Sequence, residues 1–332
     1  MMNLPNANER SRLSRRTLLG LLASVLVSST VRAESYPARS VRVIVPFPPG
    51  GATDLIGRMV AQGLTERLGK TFFVDNRAGA NGMLGSQVTA TSRPDGYSLL
   101  VVASSHPILG VLYPNITYDP IKDFVPVALV ASTPYVLVVP PSLPVKTFQE
   151  FIDYAKKNPG EIPYASAGMG TSQHLGMELL KRIAGIDMLH VPYKGSGAAR
   201  SDLLAGRIKA MLDNVAVMLP LINSGKLRAL AVTSKLRTSL APDVPTIAES
   251  GVPNFELEGW FGLLAPVGTP PDVVNQLNDA VNAMLKSPDF AARLAPLGAV
   301  PIGGTPEAFK IFMSAEKEKW TKIIKESNIR AE

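Results

Sequence analysis

Twice in this chain a strand-like run breaks into a glycine-rich loop and restarts on a helical period, and that pattern points each half to an α/β layout. Val41-Arg42-Val43-Ile44-Val45-Pro46-Phe47 runs into Pro48-Pro49-Gly50-Gly51. From Asp54 the apolar positions Leu55, Ile56, Met59, Val60, Leu64 and Leu68 share a helical face, and Gly69 supplies a stop. In the second half, Ile162 to Ser166 leads into Ala167-Gly168-Met169-Gly170-Thr171-Ser172. A helix follows there with Leu175, Leu179 and Ile183 inward, ending at Gly185. Further strands are expected over 97–103, 135–139, 188–191, 207–212 and 228–232, and helices over 198–204, 271–285 and 306–325. The expected architecture is two α/β lobes with a cleft between them.

The first 33 residues read as an export signal. A basic stretch ends in Ser14-Arg15-Arg16-Thr17-Leu18-Leu19, an apolar run follows to Val27, and small residues lead to Val31-Arg32-Ala33. Ten apolar residues span about 15 Å as a helix, half a bilayer core, so the run is too short for a permanent span. The paired arginines resemble a twin-arginine signal, with general secretion as the other route. The expected mature chain starts at Glu34, is soluble in the periplasm, and carries no cysteine for a lipid anchor.

Charge and composition narrow the function further. The chain has 332 residues and a net charge of +7, but the first 33 residues hold five arginines against one glutamate, leaving about +3 for the rest. No basic stripe with interleaved aromatics remains, so no nucleic-acid partner is expected. The absence of cysteine excludes disulfides and Cys-ligated metals. No Gly-x-Ser-x-Gly elbow occurs, and His106, His174 and His190 are too scattered in sequence to indicate a triad or a zinc site. Neither an enzyme nor a cofactor is expected, and nothing in the sequence demands more than a monomer.

Binding chemistry concentrates at the two loops. A helix amino end exposes unpaired N–H groups and a partial positive charge, so it attracts an anion. Glycines let the backbone approach the ligand, and Thr53, Thr171 or Ser172 can cap or donate. Two such ends facing each other could hold a dicarboxylate without arginine, although either loop taken alone reads more readily as ordinary turn chemistry. Asp54 lies in a first turn, where an acid is favourable anyway; Asp213 ends a strand, where α/β ligands often sit. For His174, ligand contact and plain packing stand level, and Trp260 with Phe261 reads as packing.

Several runs resemble the solute-binding proteins of tripartite tricarboxylate transporters, the Bug family. They are Val43 to Asp54, Val74 to Gly85, Arg93 to Tyr97, Gly168 to Thr171 with His174-Leu175, His190 to Gly195, Asp202 to Gly206, Pro242 to Gly251 and Trp260 to Pro266. With Gly268-Thr269-Pro270 and Trp320, the resemblance runs from Tyr36 to Trp320. It implies a two-lobed, type II-like periplasmic binding fold that closes on a small carboxylate and delivers it to a two-subunit inner-membrane permease. The implied lobes are 34–133 and 233–332 for the first and 134–232 for the second, with crossings near Ser132 to Tyr135 and Ala231 to Ser234. The implied ligand residues are Phe47, Pro49, Gly50, Gly51, Ala52 and Asp54 in the first loop. In the second they are Ser166, Ala167, Gly170, Thr171, Ser172 and His174, with Ser104 and Asp213 as additions. A sensing module read by a membrane kinase is the alternative partner. Leu109-Gly110-Val111 departs from the Asn-Pro of many relatives, and Met83 is bulkier than the usual polar residue. Both changes point to a more apolar pocket, suited to a plain or aromatic carboxylate.

Overall fold

One strand, β4 (Phe124–Val139), organises the molecule by changing partners midway along its length. From Phe124 to Pro134 it pairs antiparallel with β9 (Glu258–Pro266); from Tyr135 onward it pairs with β7 (Ala210–Asn214) and β8 (Arg228–Val232). The computed structural model describes residues 36–253, 255–326 and 329, so the expected export signal over 1–33 lies outside the described residues. Met1–Tyr36 is a unit by itself, and the following account concerns Pro37–Glu332.

The first strand group holds β1 (Val41–Val45) between β2 (Phe72–Asn76) and β3 (Ser98–Ala103), all parallel. β9 then pairs antiparallel with both β3 and the first part of β4, and β10 (Val300–Pro301) joins β4 at Ser132 and Ala131. In the second group β5 (Pro163–Ser166) lies between β6 (Leu189–Pro192) and β7, again parallel. Each group therefore has its own parallel core, and parallel strands need helical crossovers that cover both faces.

Those crossovers are α1 (Ala52–Leu68), α2 (Met83–Ala90), α5 (Ser172–Ala184) and α6 (Ser196–Leu204), with α3 (Leu109–Leu112) and α4 (Phe148–Lys157) between them. α7 (Val215–Asn223), α8 (Pro271–Leu285), α9 (Pro288–Leu294) and α10 (Pro306–Glu326) follow. α1 and α5 both stop at a left-handed glycine, Gly69 and Gly185, as the glycine signals predict. α10 serves both groups. Phe309 and Met313 enter the core with Ile44, Leu100 and Trp260, while Trp320, Ile323 and Ile324 enter the core with Tyr164, Leu175 and Leu212.

Two expectations need correction. The strand expected at 135–139 begins eleven residues earlier, because prolines at 126 and 134 do not interrupt β4. Pro126 adjoins a register shift against β9, and Pro134 is the last residue before the change of partner, both positions where a missing N–H is tolerated. Ile183, expected inward, is 43% exposed; the buried face of α5 runs through Leu175, Met177 and Leu180 instead.

Candidate functional site

Four segments converge where the parallel strands end. They are the loop before α1, the turn Ala80–Gly82, the residues just past β3, and the loop before α5. Gly82 packs on Phe47 and Pro46, and Asn81 Nδ2 donates to the Met169 carbonyl at 3.5 Å. Past β3, Ser104 Oγ lies 2.6 Å from Ser172 Oγ, the first residue of α5. Gly170 packs against Leu112 so closely that no Cβ fits there, and its φ of +71° also favours glycine. A pocket of about 10 Å³, lined by Phe47, Asn81, Gly82, Ser105, His106 and Leu109 among others, holds room for roughly one water.

The first loop is braced by Asp54 from inside the helix. Its carboxylate accepts from Gly50 N–H at 2.9 Å, Arg58 Nε at 3.0 Å and Asn76 Nδ2 at 2.8 Å, and Asn76 also holds the Phe47 carbonyl at 3.1 Å. Burial alone would raise this carboxyl; the bonds from Arg58, Gly50 and Asn76 outweigh it and hold it below its ordinary value. Phe47, Pro49, Gly50, Gly51 and Ala52 stand on this brace, and Gly50 to Gly51 is exposed. Gly51 is the N-cap of α1 and contributes no side chain, so the amino end of α1 is uncapped. Asp54 thus acts on the loop, and the loop's N–H groups are its open chemistry.

The second loop is held differently. Ser166 Oγ receives Gly168 N–H at 3.1 Å and shares a hydrogen bond of 2.8 Å with His190 Nε2. Thr171 caps α5: its hydroxyl donates to the Gly168 carbonyl at 2.8 Å and accepts from His174 N–H at 3.5 Å. Gly170 N–H donates to His174 Nδ1 at 3.1 Å, which fixes the ring proton on Nε2. The Ala167 carbonyl accepts from Gly195 N–H at 3.0 Å. Much of this loop's polar capacity is spent internally, and Ser172 is the side chain it turns toward the first half.

His190, absent from the expected set, completes the picture. His190 stacks on His174 with ring centroids 3.9 Å apart, and Tyr164 stacks on the other face of His190 at 4.9 Å. Burial first, then His190 and Lys181, pulls the His174 imidazole down to about 3; burial likewise pulls His190 down to about 4, so both rings are neutral. Asp213 is buried at the end of β7, bonded to Arg200 Nη1 at 2.9 Å and to Asn214 N–H at 2.9 Å. Burial raises its carboxyl above the ordinary range against the pull of Arg200. Among the described residues no group of three or more His, Asp or Glu side chains is placed to hold a metal ion.

A roomier surface pocket, about 370 Å³, lies elsewhere, among Arg39, Arg42, Arg93 and Tyr97 at the beginnings of β1 and β3. Arg39 there is paired with Asp95, and Arg42 with Ser92, Ser98 and Asp75. α/β sheets take ligands at the carboxyl ends of their strands, so the converging loops are the candidate site.

A two-group α/β molecule built across one shared strand has the fold of the periplasmic binding proteins. Residues 56–329 match the model described as "Tripartite tricarboxylate transporter family receptor", and the chain belongs to that family. It is 40% identical to Protein BugT of Bordetella pertussis over 311 residues, covering 93% of this chain and 95% of that one. Among solved structures it resembles Rpa4515 of R. palustris with adipate, at a TM-score of 0.83 and 38% identity over 89% of this chain and 99% of that one. It also resembles MatC of Rhodopseudomonas palustris with bound malate, at a TM-score of 0.79 and 33% identity over 87% and 100%. Among the described residues no helix is long and apolar enough to cross a membrane.

Proposed function

We propose that this protein is a periplasmic receptor that captures a small carboxylate between its two glycine-rich loops and delivers it to the two-subunit inner-membrane permease of a tripartite transporter. The observations that carry the reading are the uncapped amino end of α1, braced by Asp54, and the meeting of the two halves where Ser104 contacts Ser172 and Asn81 contacts Met169. Neutral N–H and O–H donors stabilise an anion without a salt bridge; Arg58, in the second turn of α1, is already paired with Asp54. Carboxylate ligands in the related Rpa4515 and MatC structures support the same ligand class.

The reading extends to the whole chain. Residues 1–33 are removed on export, lobes 34–133 with 233–332 and 134–232 close about β4 near Ser132 to Tyr135, and the first-loop residues meet the anion through their backbone. Leu109 borders the small pocket and Leu112 backs Gly170, so the site favours a plain dicarboxylate or aromatic acid over a hydroxylated one. Titration calorimetry with adipate, malate, benzoate and the corresponding amides tests this: acids bind and amides do not. Equal binding of acids and amides removes the anion from the account.

A further inference from the structure

We propose that the pocket at the beginnings of β1 and β3 is a second binding site, which takes the phosphate group of a small phosphate ester. The inference stands apart from the receptor reading, because the pocket lies at the opposite ends of the parallel strands from the loop junction. Arg42 enters β1 in register with Phe73 on β2 and with Ser98 on β3. In-register neighbours of a parallel sheet point to the same face, so these three side chains form one row across the pocket.

The arginines of the pocket are held in different ways. Arg42 Nη2 donates to Ser98 Oγ at 3.1 Å and to Ser92 Oγ at 3.4 Å, and Nη1 lies 3.7 Å from Asp75. Arg39 lies over the Tyr97 ring, 4.0 Å from its centroid, and Asp95 holds its Nη2 at 3.1 Å. Arg93 is exposed on the wall, and among the described residues no hydrogen bond or ion pair engages it. Asp75 is already bonded to Arg77 Nε at 2.9 Å. Four arginines therefore stand against two aspartates, which leaves an excess of two positive charges around the pocket.

That excess matches a compact dianion. A phosphate monoester carries close to two negative charges at neutral pH and three strong acceptor oxygens, which take donors from several directions. The guanidinium of Arg93 offers its whole fork, and the Ser98 hydroxyl, which accepts from Arg42, keeps its own proton to donate. Adipate, with single charges at the two ends of a flexible chain, lacks that compact charge. A volume of about 370 Å³ leaves room for an organic body beside the phosphate, and Phe73, 45% exposed, gives that body an apolar wall.

Glycerol 3-phosphate is the probe, followed by titration calorimetry. Vesicles of phosphatidic acid, which carry the same headgroup, separate a lipid source from a soluble one, with phosphatidylcholine vesicles as the control. The protein should bind glycerol 3-phosphate at one site, equally with and without saturating adipate. Arg93→Ala should weaken that binding about tenfold or more, the size expected for one lost charge-assisted hydrogen bond. Arg93→Lys, which keeps the charge and loses the fork, should recover only part. Because Arg93 holds no other described residue in place, both variants should keep the melting temperature and the adipate affinity of the unsubstituted protein. Binding confined to phosphatidic acid vesicles and lost in Arg93→Ala upholds the site with a lipid headgroup as its source. Failure of a natively folded protein to bind either probe, binding indifferent to Arg93→Ala, or displacement of glycerol 3-phosphate by adipate overturns the proposal. If no acid binds at the loop junction, the receptor reading fails and the glycerol 3-phosphate titration still decides this one.

Discussion

His174 and His190 lie face to face, 3.9 Å between ring centroids and 8° from parallel, although sixteen residues of sequence separate them. Their ring nitrogens hold the second loop from both sides. His174 Nδ1 takes the Gly170 N–H, and His190 Nε2 bonds Ser166, which in turn fixes Gly168. A protonated His174 would lose that acceptor and stand against a second ring of like charge. The stack therefore keeps the loop in shape only while both rings are neutral.

Stability should consequently fall as the pH drops below ordinary imidazole values. In the folded protein His174 titrates at about 3 and His106 and His190 at about 4, each lowered chiefly by burial from 6.5. Between those values the unfolded chain binds more protons, so unfolding becomes easier as pH falls from about 6.5. Each histidine contributes at most about 1.4 kcal/mol per pH unit over that window. Urea denaturation at pH 7.5, 6.0, 5.0 and 4.5 checks it, and His174→Gln should flatten the curve. A stability independent of pH from 7.5 to 4.5 contradicts neutral, buried rings.

Asp54→Ala should damage the first loop, because the carboxylate is buried beneath it. The substitution strands the Gly50 N–H and the Asn76 amide and frees Arg58. A loss of about 1–3 kcal/mol in folding stability is expected from the unmet donors, together with weaker acid binding. Asp54→Asn, which keeps an acceptor, should recover part of both. Chemical denaturation and calorimetry on the two variants test the ordering; equal effects would remove the brace from the account.

Thr171→Ala should act mainly on stability. Its hydroxyl is committed to Gly168 and to the His174 N–H, so the loss is that of a helix cap, about 1 kcal/mol. Thr171→Ser should be close to neutral in the same thermal-denaturation series. A Thr171→Ala protein of undiminished stability with abolished binding would instead make the hydroxyl a direct ligand contact.

Gly170→Ala should impair closure. A Cβ there meets Leu112, and the backbone at φ +71° disfavours a side chain as well. Affinity for a bound acid should fall about tenfold or more, with the loss partly relieved by Leu112→Ala. Unchanged affinity would mean that Gly170 and Leu112 need not approach for binding.

The sequence exposed the parts of this molecule that depend on local chemistry. Arg228–Val232 and Pro271–Leu285 are found at the bounds their patterns predict, and both glycine-rich loops open helices as expected. What stayed hidden depends on pairing over distance. β4 was obscured because Pro126 and Pro134 signal a break unless a register shift and a change of partner are known to sit there. The histidine stack follows from the parallel register that sets Tyr164 beside His190, and no local motif encodes that register. Asn76 belongs to the site through β2, so only the assembled sheet brings it to the first loop.

The central claim is that the loop junction binds an anion through uncharged donors at the open end of α1. Titration calorimetry of residues 34–332 with adipate, malate and adipamide, at two salt concentrations, tests it most directly. The account predicts one site, adipate bound more tightly than malate, no heat from adipamide, and an affinity that weakens only modestly with salt because no salt bridge is formed. Binding of adipamide as tight as adipate, or no binding of any acid by a cooperatively folded protein, would contradict it.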